Sequence, residues 1–118
     1  MPPVLMVVGA SESGFAQVLS RAGYKVVEAD SGEKALELAP SVLPEVILMA
    51  IVMPKLNGLQ TAVELRRLPG SRTTSIILLG SIPPIGIDQE PLASLIDGYL
   101  SMNASARDVL ACVSSRCS

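Results

Sequence analysis

Few residues in this chain could do chemistry, and their spacing is informative. The stretch GASESG (9–14) follows an apolar run and opens a helical pattern, as a glycine-rich phosphate loop would. Glu28 and Asp30 stand about where a carboxylate could hold a ribose. The spacing, however, is GxxxxG rather than GxGxxG, and no Lys-Ser or Lys-Thr follows it. Nucleotide binding is therefore the weaker expectation. Ser11 and Glu12 are candidate magnesium ligands, but a single carboxylate holds that ion poorly. A helix N-terminus already accounts for an acidic residue there. Cys112 and Cys117 lack the spacing of a zinc knuckle or a CxxC redox pair, and read as two free thiols in a reducing compartment. Histidine is absent, which removes Ser-His-Asp and Cys-His catalysis, histidine-ligated metals and a histidine pH switch.

The elements that would position these residues form one domain spanning 1–118. A chain of this length buries roughly two-thirds of its unfolded surface, so its core needs neither disulfide nor metal. Apolar residues make up 49% and charged residues only 17%, which argues for elements buried on more than one face. Net charge is −2 with the basic residues scattered, and the aromatics are Phe15, Tyr24 and Tyr99 alone. Neither a phosphate-backbone footprint nor a base-stacking platform can be built from these, so no nucleic-acid partner is expected. No apolar stretch approaches the ~18 residues of a membrane span, and the first residues do not make a signal peptide. The expectation is a soluble, cytoplasmic domain with no membrane partner and no cofactor.

Short apolar runs alternate with helical patterns along the chain. Val4–Val8 (VLMVV) reads as a strand buried on both faces. Ser11 or Ser13 is expected to cap a helix carrying Phe15, Val18 and Leu19, which Gly23 stops. Lys25–Ala29 is a second strand. Ser31 caps the next helix, which Pro40 and Pro44 are expected to close. Val46–Ile51 is the most apolar strand. A turn through Pro54, Asn57 and Gly58, with left-handed geometry at Asn57–Gly58, leads to a helix carrying Leu59, Ala62, Val63, Leu65 and Leu68. Ser75–Leu79 and Asp97–Ser101 are the last strands, and Ala104–Ser114 is the last helix, with Val109, Leu110 and Val113 inward. Residues 81–91 hold three prolines and a glycine, so the intervening helix is expected to be short, from near Asp88 to near Asp97. Ser114, Ser115, Arg116 and Ser118 read as a frayed end or the start of a linker.

This alternation implies an α/β three-layer sandwich: a five-stranded parallel sheet of order 2-1-3-4-5, flavodoxin-like, with helices on both faces. Ligands in such folds bind beyond the carboxyl ends of the strands. The residues there are Gly9, Ala10, Ala50, Gly80, Ser81, Met102 and Asn103, and only Ser81 and Asn103 carry a functional group.

AGYKVVEADSGEKALEL (Ala22–Leu38), PEVILMAIVMPKLNGLQTAVELRR (Pro44–Arg67) and DGYLS (97–101) together resemble the response-regulator receiver domains of two-component signalling, in register along the whole chain. The resemblance implies that Gly9 and Ala10 replace a magnesium-binding acidic pair. It likewise implies that Ala50 replaces the phospho-accepting aspartate, Gly80 the hydroxyl residue and Met102 the lysine, with Asn103 in place of the proline that follows. Phosphoryl transfer needs a carboxylate nucleophile, a divalent cation and a cation for the phosphoryl oxygens. With all of them replaced, the expectation is a pseudo-receiver: no enzyme, no metal, no phosphorelay chemistry of its own. It would act as a protein-protein interaction module on a signalling protein, an effector domain or a second copy of itself. The expected face, built from the fifth strand and its flanking helices, carries Tyr99, Ser101, Arg107 and Leu110, with the proline-rich 82–91 segment beside it. Tyr99 is either a fixed contact or an edge aromatic packed for stability. The alternative from another class is a small-ligand or nucleotide sensor using the neutral pocket around Gly9, Ala50, Gly80 and Met102.

Overall fold

The computed structural model describes residues 4–10, 14–51, 58–68, 74–80 and 96–116. In chain order these form β1 (Val4–Val8), α1 (Phe15–Arg21), β2 (Lys25–Ala29), α2 (Gly32–Val42), β3 (Val46–Ala50), α3 (Gly58–Arg66), β4 (Ser75–Gly80), β5 (Gly98–Ser101) and α4 (Ala106–Ser114). The strands make one sheet of order β2-β1-β3-β4-β5, and every adjacent pair is parallel. This is the order the alternation of elements predicts.

Burial follows position in the sheet. β3 is buried at all five residues, as a central strand covered on both faces must be, whereas the edge strand β2 exposes Lys25 and Glu28. Side-chain alternation splits the core in two. Met6, Val8, Ile47, Met49, Ile76 and Leu78 meet α2 and α3 through Ala35, Ala39, Ala62 and Leu65. Leu5, Val7, Val46, Leu48, Ile77 and Leu79 meet α1 and α4 through Phe15, Leu19, Val109 and Val113.

The helix ends depart from expectation in three places. α1 is capped by Gly14 in left-handed geometry with no side-chain cap; Ser11 and Ser13 lie outside the described residues. Its other end matches: Gly23 has φ 101°, and Tyr24 N–H bonds back to Leu19 O at 3.2 Å. α2 starts as expected, with Ser31 Oγ accepting from Lys34 N–H at 3.2 Å. It then runs through Pro40 to Val42 rather than stopping. Pro40 stands in the last turn, where the missing N–H forfeits a single bond, and Leu36, Leu38, Ala39 and Val42 still pack on the core. The third departure is the start of α4, at Ala106 behind a Ser105 cap rather than at Ala104; Val109 and Val113 are buried and Leu110 packs half-buried against the same core, as expected. The helix expected after β4 lies outside the described residues, except that Asp97 leads straight into β5.

Leu43 closes α2 with φ 51° and ψ 59°, a left-handed conformation, while 65% exposed. A branched side chain there is strained and gains little from burial. Asparagine tolerates this conformation, so Leu43→Asn is expected to raise the unfolding free energy by about 0.5–1 kcal/mol. Urea denaturation checks this; an unchanged or lower midpoint contradicts it.

The amino ends of β4 and β5 are tied by a charged cluster. Asp97 Oδ2 accepts from Arg66 Nη2 at 2.7 Å and from Ile76 N–H at 2.8 Å. Arg66 Nη1 donates to Thr74 O at 2.8 Å, and Arg116 Nη2 donates to Asp97 O at 2.8 Å. Residues 114–116 are therefore not frayed: Arg116 N–H also bonds to Val113 O at 3.0 Å.

Candidate functional site

Four of the five residues that the resemblance puts at a phosphorylation site are strand ends or lie just past them. Gly9 follows β1 with φ 67°, and its N–H donates to Ala29 O at 2.8 Å. That bond takes the N–H a glycine-rich phosphate loop would aim at its ligand. The positive φ also makes the position unfavourable for a side chain. Ala10 is 4% exposed and packs with Phe15 and Leu19. Ala50 ends β3 at 2% exposure.

Gly80 is the last residue of β4, one position beyond the expected strand end. Its carbonyl accepts from Tyr99 Oη at 2.6 Å and from Met102 N–H at 3.0 Å. A Cβ at position 80 would stand 3.0 Å from Ile51 Cδ1 and 3.5 Å from both Cε2 and Oη of Tyr99. Tyr99 and Ile51 thus occupy the ground a side chain at 80 would need. Met102 is half-buried and packs against both core clusters. Asn103 is exposed, its N–H held by Ser101 Oγ at 3.1 Å.

None of Gly9, Ala10, Ala50, Gly80 and Met102 carries a carboxylate, hydroxyl or ammonium group. No group of three or more acidic, cysteine or histidine residues that could hold a metal occurs among the described residues. Ser11, Glu12, Asn57 and Ser81 lie outside them. Glu28 and Asp30 are exposed, and Cys112, half-buried on α4, is a free thiol; Cys117 lies outside the described residues.

Gly58 lacks the left-handed geometry expected at the turn; Asn57 lies outside the described residues. Its need is for space. Its N–H donates to Ile51 O at 2.8 Å, and a Cβ would fall 2.5 Å from Ala50 O and 2.9 Å from Ile51 Cα. Helix α3 therefore starts directly against the end of β3. Sequence reading missed both Gly58 and Ile51 as determinants of this site. An isoleucine after an apolar run reads only as strand, and nothing local marks a glycine that another segment's backbone approaches.

The four residues of the expected interaction face do not form a single flat patch. Tyr99 packs with the cluster under α2 and α3, and Ser101 shares its side of β5 by alternation. Arg107 and Leu110 ride on α4, which covers the other side. β5 is the last strand of the sheet among the described residues, so the two pairs lie on opposite faces of an edge strand.

A family model described as response regulator receiver domain matches residues 10–113. The polar-differentiation response regulator DivK of Brucella anthropi is 30% identical over 89 residues, covering 68% of this chain and 72% of DivK. The nitrate/nitrite response regulator NarL of Escherichia coli is 32% identical over 104 residues, covering 83% of this chain and 45% of NarL. The alkaline phosphatase synthesis regulator PhoP of Bacillus subtilis is 39% identical over 49 residues, 42% of this chain but only 20% of PhoP. The chain thus spans less than half of NarL and PhoP. Among solved structures, the chemotaxis response regulator CheY4 of Vibrio cholerae superposes with a TM-score of 0.87 at 23% identity, covering 99% of this chain and 100% of CheY4. A putative response regulator from Chloroflexus aurantiacus gives 0.85 at 24% identity, covering 98% and 97%. These two show the shared fold. Sheet order and a family match across nearly its whole length agree, and this chain belongs to the response regulator receiver domain family.

Proposed function

We propose that this receiver domain works without phosphorylation or magnesium, as a protein-interaction module within a two-component-type system. The observation that carries the reading is the character of the strand ends. Ala10 and Ala50 are buried methyl groups, Gly80 has no side chain, and Met102 is a thioether packed on both cores. An acyl phosphate at position 50 needs a carboxyl group that alanine does not have. Magnesium needs hard oxygen ligands, and neither Gly9 nor Ala10 offers a side-chain oxygen.

Tyr99 supports the interaction role. Its hydroxyl is bonded to Gly80 O and its ring lies over a residue with no side chain to displace it. The face beside β5 therefore has one standing form, suited to a signalling protein or effector domain that reads shape rather than phosphorylation state. The packing of Met102 and Tyr99 into the neutral pocket favours this over the small-ligand reading.

Incubation with acetyl phosphate, or with beryllofluoride and magnesium, tests the proposal by intact mass and by amide NMR. The expected result is an unchanged mass and no magnesium-dependent shifts at Gly9, Ala50 or Gly80. A stable adduct, or saturable shifts at those amides, overturns it.

A further inference from the structure

We infer that the free edge of β2, with the groove between it and α1, is a self-complementary surface that pairs with a second copy of this chain. The groove holds about 340 Å³ and is lined by Ala16, Gln17, Ser20 and Arg21 of α1 and Val26 and Glu28 of β2. It lies at the opposite edge of the sheet from β5, so the inference is independent of the proposed function.

The backbone sets which register is available. Ala29 O accepts from Gly9 N–H, so the polar groups of Lys25, Val27 and Ala29 point to β1. Those of Val26 and Glu28 point outward, to the edge where β2 has no neighbouring strand among the described residues. An antiparallel copy can pair only outward residue with outward residue. Centring the two-fold axis on Val27 sets Val26 opposite Glu28 of the second copy, and Glu28 opposite its Val26. Each pair exchanges two hydrogen bonds, and the two sheets become one of ten strands. Centring on Glu28 would place two carboxylates opposite each other, which disfavours that register.

Charge then matches without adjustment. A tight turn links α1 to β2, so Arg21 lies beside the start of the strand and Glu28 near its end. Both are exposed, and neither has an ion-pair partner among the described residues. A two-fold axis through Val27 carries Arg21 of one copy to Glu28 of the other, twice. An isologous interface must hold a charge and its opposite on the two sides of its axis, and this edge does.

Sedimentation velocity across a concentration series tests the pairing. The wild-type chain is expected to dimerise, and Arg21→Glu and Glu28→Arg each to weaken the dimer at least about tenfold by setting like charges face to face. Both positions are exposed, so both variants are expected to keep the wild-type circular dichroism and melting temperature. Mixing the two variants sets unlike charges opposite each other again and restores association, as does the double swap in one chain. A wild-type chain that stays monomeric throughout overturns the inference. So does a dimer that the single reversals leave intact, or one that the mixture and the double swap fail to restore.

Discussion

Ala50→Asp, the single change that would place a carboxylate at the end of β3, is expected to cost about 3–5 kcal/mol at neutral pH, the range for an uncompensated buried charge. Ala50 is 2% exposed among Met49, Ala62 and other apolar neighbours. Met102, which packs against the same cluster, brings no cation to it. Burial raises the folded-state pKa of the new carboxyl above its unfolded value of about 3.9. The penalty is therefore smallest below about pH 4, where folded and unfolded chains are both protonated. It grows as the pH rises from there, and levels off once the folded-state carboxyl has ionised. Urea unfolding between acid and neutral pH reads this slope. Adding Met102→Lys is expected to recover part of the loss by supplying a cation beside the new carboxylate, and to flatten the pH dependence. An Ala50→Asp variant as stable as the parent at neutral pH would mean that the site is more solvated than its burial indicates.

Gly58→Ala is expected to lower stability by about 3 kcal/mol, at the upper end of what overpacking costs. The added methyl group would stand 2.5 Å from Ala50 O and 2.9 Å from Ile51 Cα. Both are backbone atoms, so no rotamer change relieves the contact. Either α3 withdraws from the sheet or the end of β3 shifts, and the Gly58 N–H bond to Ile51 O is lost with it. For a chain of this size the melting temperature should fall by on the order of 10 °C. Hydrogen exchange at Ile51 and Gly58 should rise ahead of the rest of the sheet. A loss below about 1 kcal/mol would show that the β3–α3 junction yields easily.

Much of this architecture was legible because its signals are local. An unbroken apolar run such as Val46–Ala50 needs cover on both faces, which makes it a central strand. Lys25–Ala29, with two adjacent valines, reads as a strand and is one. Ser31 three residues before Lys34 makes a cap that depends on nothing distant. That Gly9, Ala10, Ala50, Gly80 and Met102 bring no charged side chain was equally legible, because a residue type carries its chemistry wherever it sits.

Where expectation failed, the deciding partner was remote in sequence or the local rule was outweighed. Pro40 did not stop α2, because apolar side chains on that turn still find the core and the proline forfeits one bond near the helix end. Arg116 reads as a polar tail until Asp97, nineteen residues earlier, offers its carbonyl. Gly58 reads as turn geometry until the carbonyl of Ala50 is found against it.

The sequence by itself determined the order of elements and the parallel sheet, since periodicity acts over a few residues, and it set which residue types stand at 9, 10, 50, 80 and 102. Only the tertiary structure decided what occupies that space. Tyr99 and Ile51 close over Gly80, Met102 bridges the two cores, and β2 stands at the edge of the sheet among the described residues. Those are contacts between segments tens of residues apart, and close packing and hydrogen-bond geometry select them only once the chain has folded.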